Sequence, residues 1–160
     1  MPKVEDYLMM HKNKLNIVLY EPEIPQNTGN IARLCACCGA SLYLVGKLGF
    51  SLSSKYTKRA GLDYWDSVDL HKIESMEKLY EMYPDGTFYY LTTKTDKLYT
   101  DIKFKDGDFI VFGPETRGLP DKYVKSDNAR TIPMKEGQRS LNLSNSVAIV
   151  AYEAIRQNGI

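Results

Sequence analysis

Residues 109–120 read FIVFGPETRGLP. Phe109, Ile110, Val111 and Phe112 form a short, uninterrupted apolar run, the pattern of a strand buried on both faces. The chain then leaves that strand through Gly113, Pro114, Glu115, Thr116, Arg117, Gly118, Leu119 and Pro120. An ordinary connecting turn needs one glycine or one proline. This one has two of each, with an acid and a base held between them. Such a constrained and polar exit from a core strand points to a backbone shaped for a purpose at the strand's carboxyl end.

Working outward, strand and helix patterns alternate. Leu15–Tyr20 (LNIVLY) reads as a central strand, followed by a loop rich in Pro, Asn and Gly (EPEIPQNTGN) and a helical stretch ending at Cys38 before Gly39. On that helix Ile31, Leu34, Cys35 and Cys38 share a core stripe, while Asn30, Arg33 and Cys37 share a neighbouring one that faces something else. SLYLV (41–45) is a second strand closed by Gly46. SSKYTKRA (53–60) reads as a short basic helix, 68–73 as a short strand and 74–83 as an amphipathic helix. Further strands are expected at 87–92 (TFYYLT), 109–112 and 129–133 (ARTIP), and a last helix at 141–157. In that helix Leu143, Val147, Val150 and Ala154 form the apolar stripe, widened by Ile149 and Ala151. The alternation predicts an α/β domain with a mainly parallel sheet flanked by helices. Ligands of such sheets sit beyond the carboxyl ends of the strands. The polar loops after Tyr20, Phe112 and Pro133 would therefore share one edge.

A chain of 160 residues with net charge +1 fits one domain (15–160) behind a short extension (1–14). The balance gives no bulk basicity, though a local basic patch suffices to meet phosphate. No apolar run approaches the ~20 residues of a membrane span. Glu5 and Asp6 interrupt the only apolar stretch at the start, which argues against a secretory signal and for a cytoplasmic protein. Cys35, Cys37 and Cys38 lack metal-ligand spacing, and His11 and His71 lie far from them, so the cysteines read as small buried hydrophobes.

Familiar catalytic signatures are missing. No GxGxxG follows the first strand, no GxxxxGK[ST] occurs, and there is no GxSxG elbow. What remains is three loops: NTGNIAR (27–33), FGPETRGLP (112–120) and IPMKEGQRSLNLSNSVAIVAYEA (132–154). In this order, and with LNIVLYEPEIPQNTGNIARL and RAGLDYW beside them, they resemble the SPOUT class of RNA methyltransferases. The resemblance is closest to the small single-domain TrmL (YibK-like) family and covers Leu15 to Asn158.

The resemblance implies a C-terminal deep trefoil knot, S-adenosylmethionine as cofactor with no metal, and tRNA as substrate. The reaction it implies is methylation of the ribose 2′-OH of the wobble nucleotide, a cytidine or modified uridine, in leucine tRNAs. The alternatives are a 2′-O-methyltransferase acting elsewhere on tRNA or on rRNA, and a non-catalytic RNA-binding protein of the same fold. For the cofactor, the family implies Leu91, Gly113, Ile132, Met134 and Ser140; by composition alone Leu91, Ile132 and Met134 are also ordinary core residues. It gives Gly113 the task of letting backbone approach the cofactor.

For catalysis it implies Arg33, Glu115 and Asn142. A guanidinium stays protonated, so Arg33 is suited to orienting the ribose and stabilising a developing alkoxide. Glu115 either orders the loop or holds Arg33. Asn142 and Ser140, preceding the last helix, serve as caps, as site residues or as both. Asn27 and Asn30 either shape their loop or contact RNA. Lys58, Arg59, Arg117 and Arg139 are the basic candidates for RNA, with Lys55, Lys122, Lys125, Arg130 and Lys135 nearby. A single small subunit offers little surface for a tRNA, so the family's homodimer is expected, with Tyr152 on the final helix at its interface.

Overall fold

The computed structural model describes residues 3–4, 14–52 and 66–158. Lys55, Lys58, Arg59, the expected 53–60 helix, the RAGLDYW stretch and most of the N-terminal extension lie outside the described residues.

Six strands form one sheet: β1 (Asn16–Tyr20), β2 (Ser41–Val45), β3 (Asp69–Ile73), β4 (Phe88–Leu91), β5 (Phe109–Phe112) and β6 (Ala129–Arg130). Their spatial order is β3-β2-β1-β5-β4-β6, and every pairing is parallel. Late-arriving β5 thus fills the centre, with Ile17 opposite Ile110 on one side and Tyr90 opposite Val111 on the other. This position explains its unbroken apolar sequence, because both faces and both edges of β5 are covered.

Alternation along the strands sends two different sets of side chains to the two faces. Ile17, Leu19, Leu42, Leu44, Ile110 and Phe112 pack under α1 (Pro25–Cys38) and α4 (Leu143–Gln157), meeting Ile31, Cys35, Val147, Val150 and Ala154. The opposite face is aromatic: Tyr43, Phe88, Tyr90, Phe109 and Tyr123 pack with Val18, Val111 and Leu79 beneath α2 (Met76–Met82) and α3 (Asp121–Val124). Phe88 stacks on Phe109 with centroids 4.4 Å apart, and half-buried hydroxyls pair as Tyr43 with Tyr83 (2.8 Å) and Tyr80 with Tyr90 (2.6 Å).

The expected stripes on α1 hold. Ile31, Cys35 and Cys38 are buried and Leu34 is half-buried, while Asn30, Arg33 and Cys37 are exposed. Cys37 therefore departs from the reading of all three cysteines as buried. Ile149 departs likewise: it is 36% exposed on α4, whereas Ala151 is buried.

Several boundaries differ for local reasons. The stretch PQNTGN is the first part of α1 and not a loop, because Pro25 occupies a first-turn position where its missing N–H costs nothing. The expected 129–133 strand shrinks to Ala129–Arg130, after which Thr131 bridges to Leu98 alone. The 74–83 helix begins at Met76, where the Ser75 hydroxyl accepts from Lys78 N–H at 3.1 Å. The four-residue α3 and a 3-10 turn at Tyr99–Asp101 were not expected from the sequence.

Candidate functional site

The loops leaving β1, β4, β5 and β6 surround a cavity of about 670 Å³ at the carboxyl edge of the sheet. All five expected cofactor residues, Leu91, Gly113, Ile132, Met134 and Ser140, line it. So do Glu115, Asn142, Asn27, Arg117 and Arg139. Leu91 ends β4 and Phe112 ends β5 directly opposite it, so these two apolar side chains form the floor.

A chain of hydrogen bonds ties three distant loops together. The Asn142 amide donates to Asn27 Oδ1 (3.1 Å), and the Asn27 amide donates to Glu115 Oε1 (3.4 Å). Glu115 also accepts the backbone N–H groups of Glu23 (2.7 Å) and Ile24 (3.1 Å). Of the two tasks open to Glu115, ordering the loop is the one its described contacts support. It supplies a negative group at the start of α1, where the helix has no acidic residue in its first turn and no side-chain cap of its own. Asn142 caps its helix and also makes a tie across to α1. Its side-chain oxygen accepts from Ser144 N–H (2.9 Å) and Asn145 N–H (3.2 Å), capping α4, while its nitrogen reaches Asn27. Asn27 is accordingly buried, and its side chain joins the first turn of α1 to Glu115 and Asn142.

The reverse tie runs from Glu23. Its carboxylate accepts from Thr116 N–H at 2.9 Å and from the Thr116 hydroxyl at 2.8 and 2.9 Å. These bonds, the backbone one first, hold the Glu23 carboxyl below the usual carboxylate range.

Gly113 has a nearer reason to be glycine than approach to a ligand. A Cβ placed there would stand 2.5 Å from Leu119 N and 2.6 Å from the Gly118 carbonyl carbon. The turn closes on its own backbone, helped by Gly118 at φ 68° and a Gly118 N–H bond to Pro114 O of 2.9 Å.

The remaining candidates divide. Arg117 lines the cavity and pairs with Glu21 at 3.4 Å, the one described non-glycine residue at positive φ (47°). Asn30 and Arg33 do not line the cavity; they lie on the exposed stripe of α1, further along the helix from Asn27. Arg130 turns to the Asp127 and Ala129 carbonyls, and Lys122 to Glu77. Ser140 and Arg139 are exposed at the rim. Sequence reading missed Ile24 and the turn Thr92–Lys94, both on the cavity wall. The strand-end rule carried the signal for the second, because that turn directly follows β4.

Among the described residues no group of three His, Cys, Asp or Glu side chains could hold a metal ion, and no helix is long and apolar enough to cross a membrane.

Residues 14–152 match the model of the SpoU rRNA Methylase family. The tRNA (cytidine(34)-2'-O)-methyltransferase of Methylovorus glucosotrophus (strain SIP3-4) is 49% identical over 147 residues, 89% of this chain and 95% of that protein. The enzyme of that name from Escherichia coli (strain K12) is 45% identical over 148 residues, 91% of this chain and 94% of that one. A solved structure described as "Structural insights into the 2-OH methylation of C/U34 on tRNA" superposes with a TM-score of 0.86 at 43% identity, covering 91% of this chain and 96% of that chain. At 23% identity, the SpoU methyltransferase AviRb from Streptomyces viridochromogenes, solved in complex with AdoMet, shares the fold with a TM-score of 0.77, covering 98% of this chain and 66% of that one. Motif order, sheet topology and these likenesses agree: the chain belongs to the SpoU methylase family, in the group that holds the tRNA (cytidine(34)-2'-O)-methyltransferases.

Proposed function

We infer that this protein methylates the ribose 2′-OH of the tRNA wobble nucleotide, using S-adenosylmethionine. The observation that carries this reading is the convergence of three loops, far apart in sequence, on one cavity at the carboxyl edge of the sheet. The naming of relatives at 45–49% identity adds the substrate and the position.

The cavity suits the cofactor. Its volume of about 670 Å³ lies in the range of small-molecule sites. Leu91, Phe112, Ile132 and Met134 offer apolar surface for an adenine, and the strand ends and the Ser140 hydroxyl offer polar groups for the rest. When bound, S-adenosylmethionine supplies an activated methyl on a sulfonium leaving group. The protein's own work is then positioning, which alone is worth on the order of 7–11 kcal/mol. Glu115, Asn27 and Asn142 fix the cofactor-side loops against α1. Arg33, on the exposed face of α1, orients the ribose and its phosphate and stabilises negative charge developing on the 2′-oxygen. Arg117, Arg139 and Lys94 at the cavity meet the RNA backbone.

Two finer features belong to the same reading. The C-terminal part of the chain closes as a deep trefoil knot, a reading that rests on the family likeness and is compatible with the tight turn at Gly113. The protein works in the cytoplasm as a homodimer through α4, where Ile149 and Tyr152 are exposed at 36% and 42%.

The test is methyl transfer from labelled S-adenosylmethionine to tRNA from cells lacking this enzyme, followed by nuclease digestion and mass spectrometry. A 2′-O-methylated wobble nucleotide is expected. Methylation elsewhere would reassign the substrate, and cofactor binding without transfer to any RNA would replace the enzyme reading with a binding one.

A further inference from the structure

The loop before α1 and the turn after β5 exchange carboxylates. Glu115 accepts the N–H groups of residues 23 and 24, and Glu23 accepts the N–H and the hydroxyl of residue 116. Each loop therefore caps the other, using adjacent residues in each case. One such bond would tether two loops; the reciprocal set fixes both the distance between them and their orientation. Charge-assisted bonds of this kind are among the strong ones.

We propose that Glu23 is a positioning residue: acting through Thr116, it locks the cofactor-side turn 113–119 to the helix bearing Asn27 and Arg33, so that cofactor and ribose are held in one frame. This rests on the methyltransferase reading above. Glu23 touches neither partner in this scheme. The cavity wall at Gly113 and the guanidinium of Arg33 belong to separate segments, and the clasp spans them by a route other than the Asn27–Glu115 bond. Gly49 packs closely on the same loop: its N–H donates to Pro22 O (2.9 Å), and a Cβ there would stand 2.8 Å from Glu23 Cα.

The experiment pairs single-turnover and steady-state methyl transfer with amide hydrogen exchange on the full chain. Glu23→Ala and Thr116→Val are expected to lower kcat about tenfold or more per cofactor-binding site, with the cofactor Kd and the tRNA KM within about threefold of the parent. Thr116→Ser, which keeps both donors, is expected to restore kcat. The double variant is expected to be no slower than Glu23→Ala, because both remove one interaction. Exchange needs no RNA: S-adenosylmethionine should slow exchange in residues 23–28 of the parent, and only in 113–119 of Glu23→Ala.

Unchanged kcat per binding site, additive losses, or a cofactor Kd that weakens in step with kcat would overturn the proposal. So would exchange protection at 23–28 that survives Glu23→Ala. A parent that shows linked exchange yet methylates no RNA would sink the function reading while leaving the clasp supported.

Discussion

Gly113 and Arg33 are the two residues whose roles separate most cleanly. At Gly113 a methyl group has nowhere to go but into the backbone of Gly118 and Leu119. Gly113→Ala is expected to cost about 1–3 kcal/mol of stability, as overpacking does. It should also weaken S-adenosylmethionine binding in calorimetry run well below the unfolding temperature. Arg33 stands outside the cavity, so Arg33→Ala is expected to nearly abolish methyl transfer while leaving cofactor affinity within about threefold of the parent. Loss of cofactor binding would place Arg33 in the cavity wall instead. Gly113 lines the cavity as the resemblance implies, and the structure adds a close approach to Gly118 and Leu119 that the sequence did not specify. A glycine between two apolar and proline positions announces a close approach; which backbone it approaches depends on a contact five and six residues later, and no local pattern encodes that.

At the scale of elements, the start of α4 does two jobs through one side chain, and substitutions divide them. Asn142→Ala removes both and is expected to cost about 1 kcal/mol, the usual worth of a cap. Asn142→Asp keeps the acceptor for Ser144 and Asn145 but turns the donor facing Asn27 Oδ1 into a second oxygen. Its helix content should match the parent while kcat falls about tenfold or more; full activity would reduce Asn142 to a cap.

Near the other end of α4, Glu153 is bound by Arg156 Nη2 (2.8 Å) and Nε (2.9 Å), and these bonds pull its carboxyl down from 4.5 to about 2. A carboxyl depressed in the folded state stabilises the fold fully above its ordinary value, and that stabilisation fades as pH falls towards 2. The thermal midpoint of Glu153→Gln should therefore sit below the parent's at about pH 6 and converge with it on acidification.

Element existence was legible wherever a long period or a pure apolar run stated it, as in β1, β2, β5, α1 and α4. The extra helical turn at PQNTGN was not. Its stabilising carboxylate, Glu115, comes from a loop some ninety residues away (23 to 115). Likewise the short α3 has too few residues to display a period.

For the whole molecule, parallel order gathers the loops that line the cavity at one edge, and this much followed from the alternation of elements. The position of β5 between β1 and β4 did not, because strand order is set by packing across the sheet rather than along the chain. The proposed dimer is a property of this scale too. Tyr152→Arg is expected to shift sedimentation towards monomer at micromolar concentration and to lower tRNA binding with it; an unchanged sedimentation profile would move the interface elsewhere.

The bond between Asn27 and Asn142 joins residues 115 positions apart, and that between Glu23 and Thr116 spans 93. Contacts so distant in sequence form late in folding, after the long loops between them have closed. During synthesis β1 and α1 leave the ribosome well before β5, and Asn27 waits for a partner made 115 residues after it. A chain that stops short of Asn142 therefore lacks the bond that ties the third loop to α1 and closes the cavity. Methyl transfer by this protein reports that the chain has been made as far as α4 and closed on its own beginning.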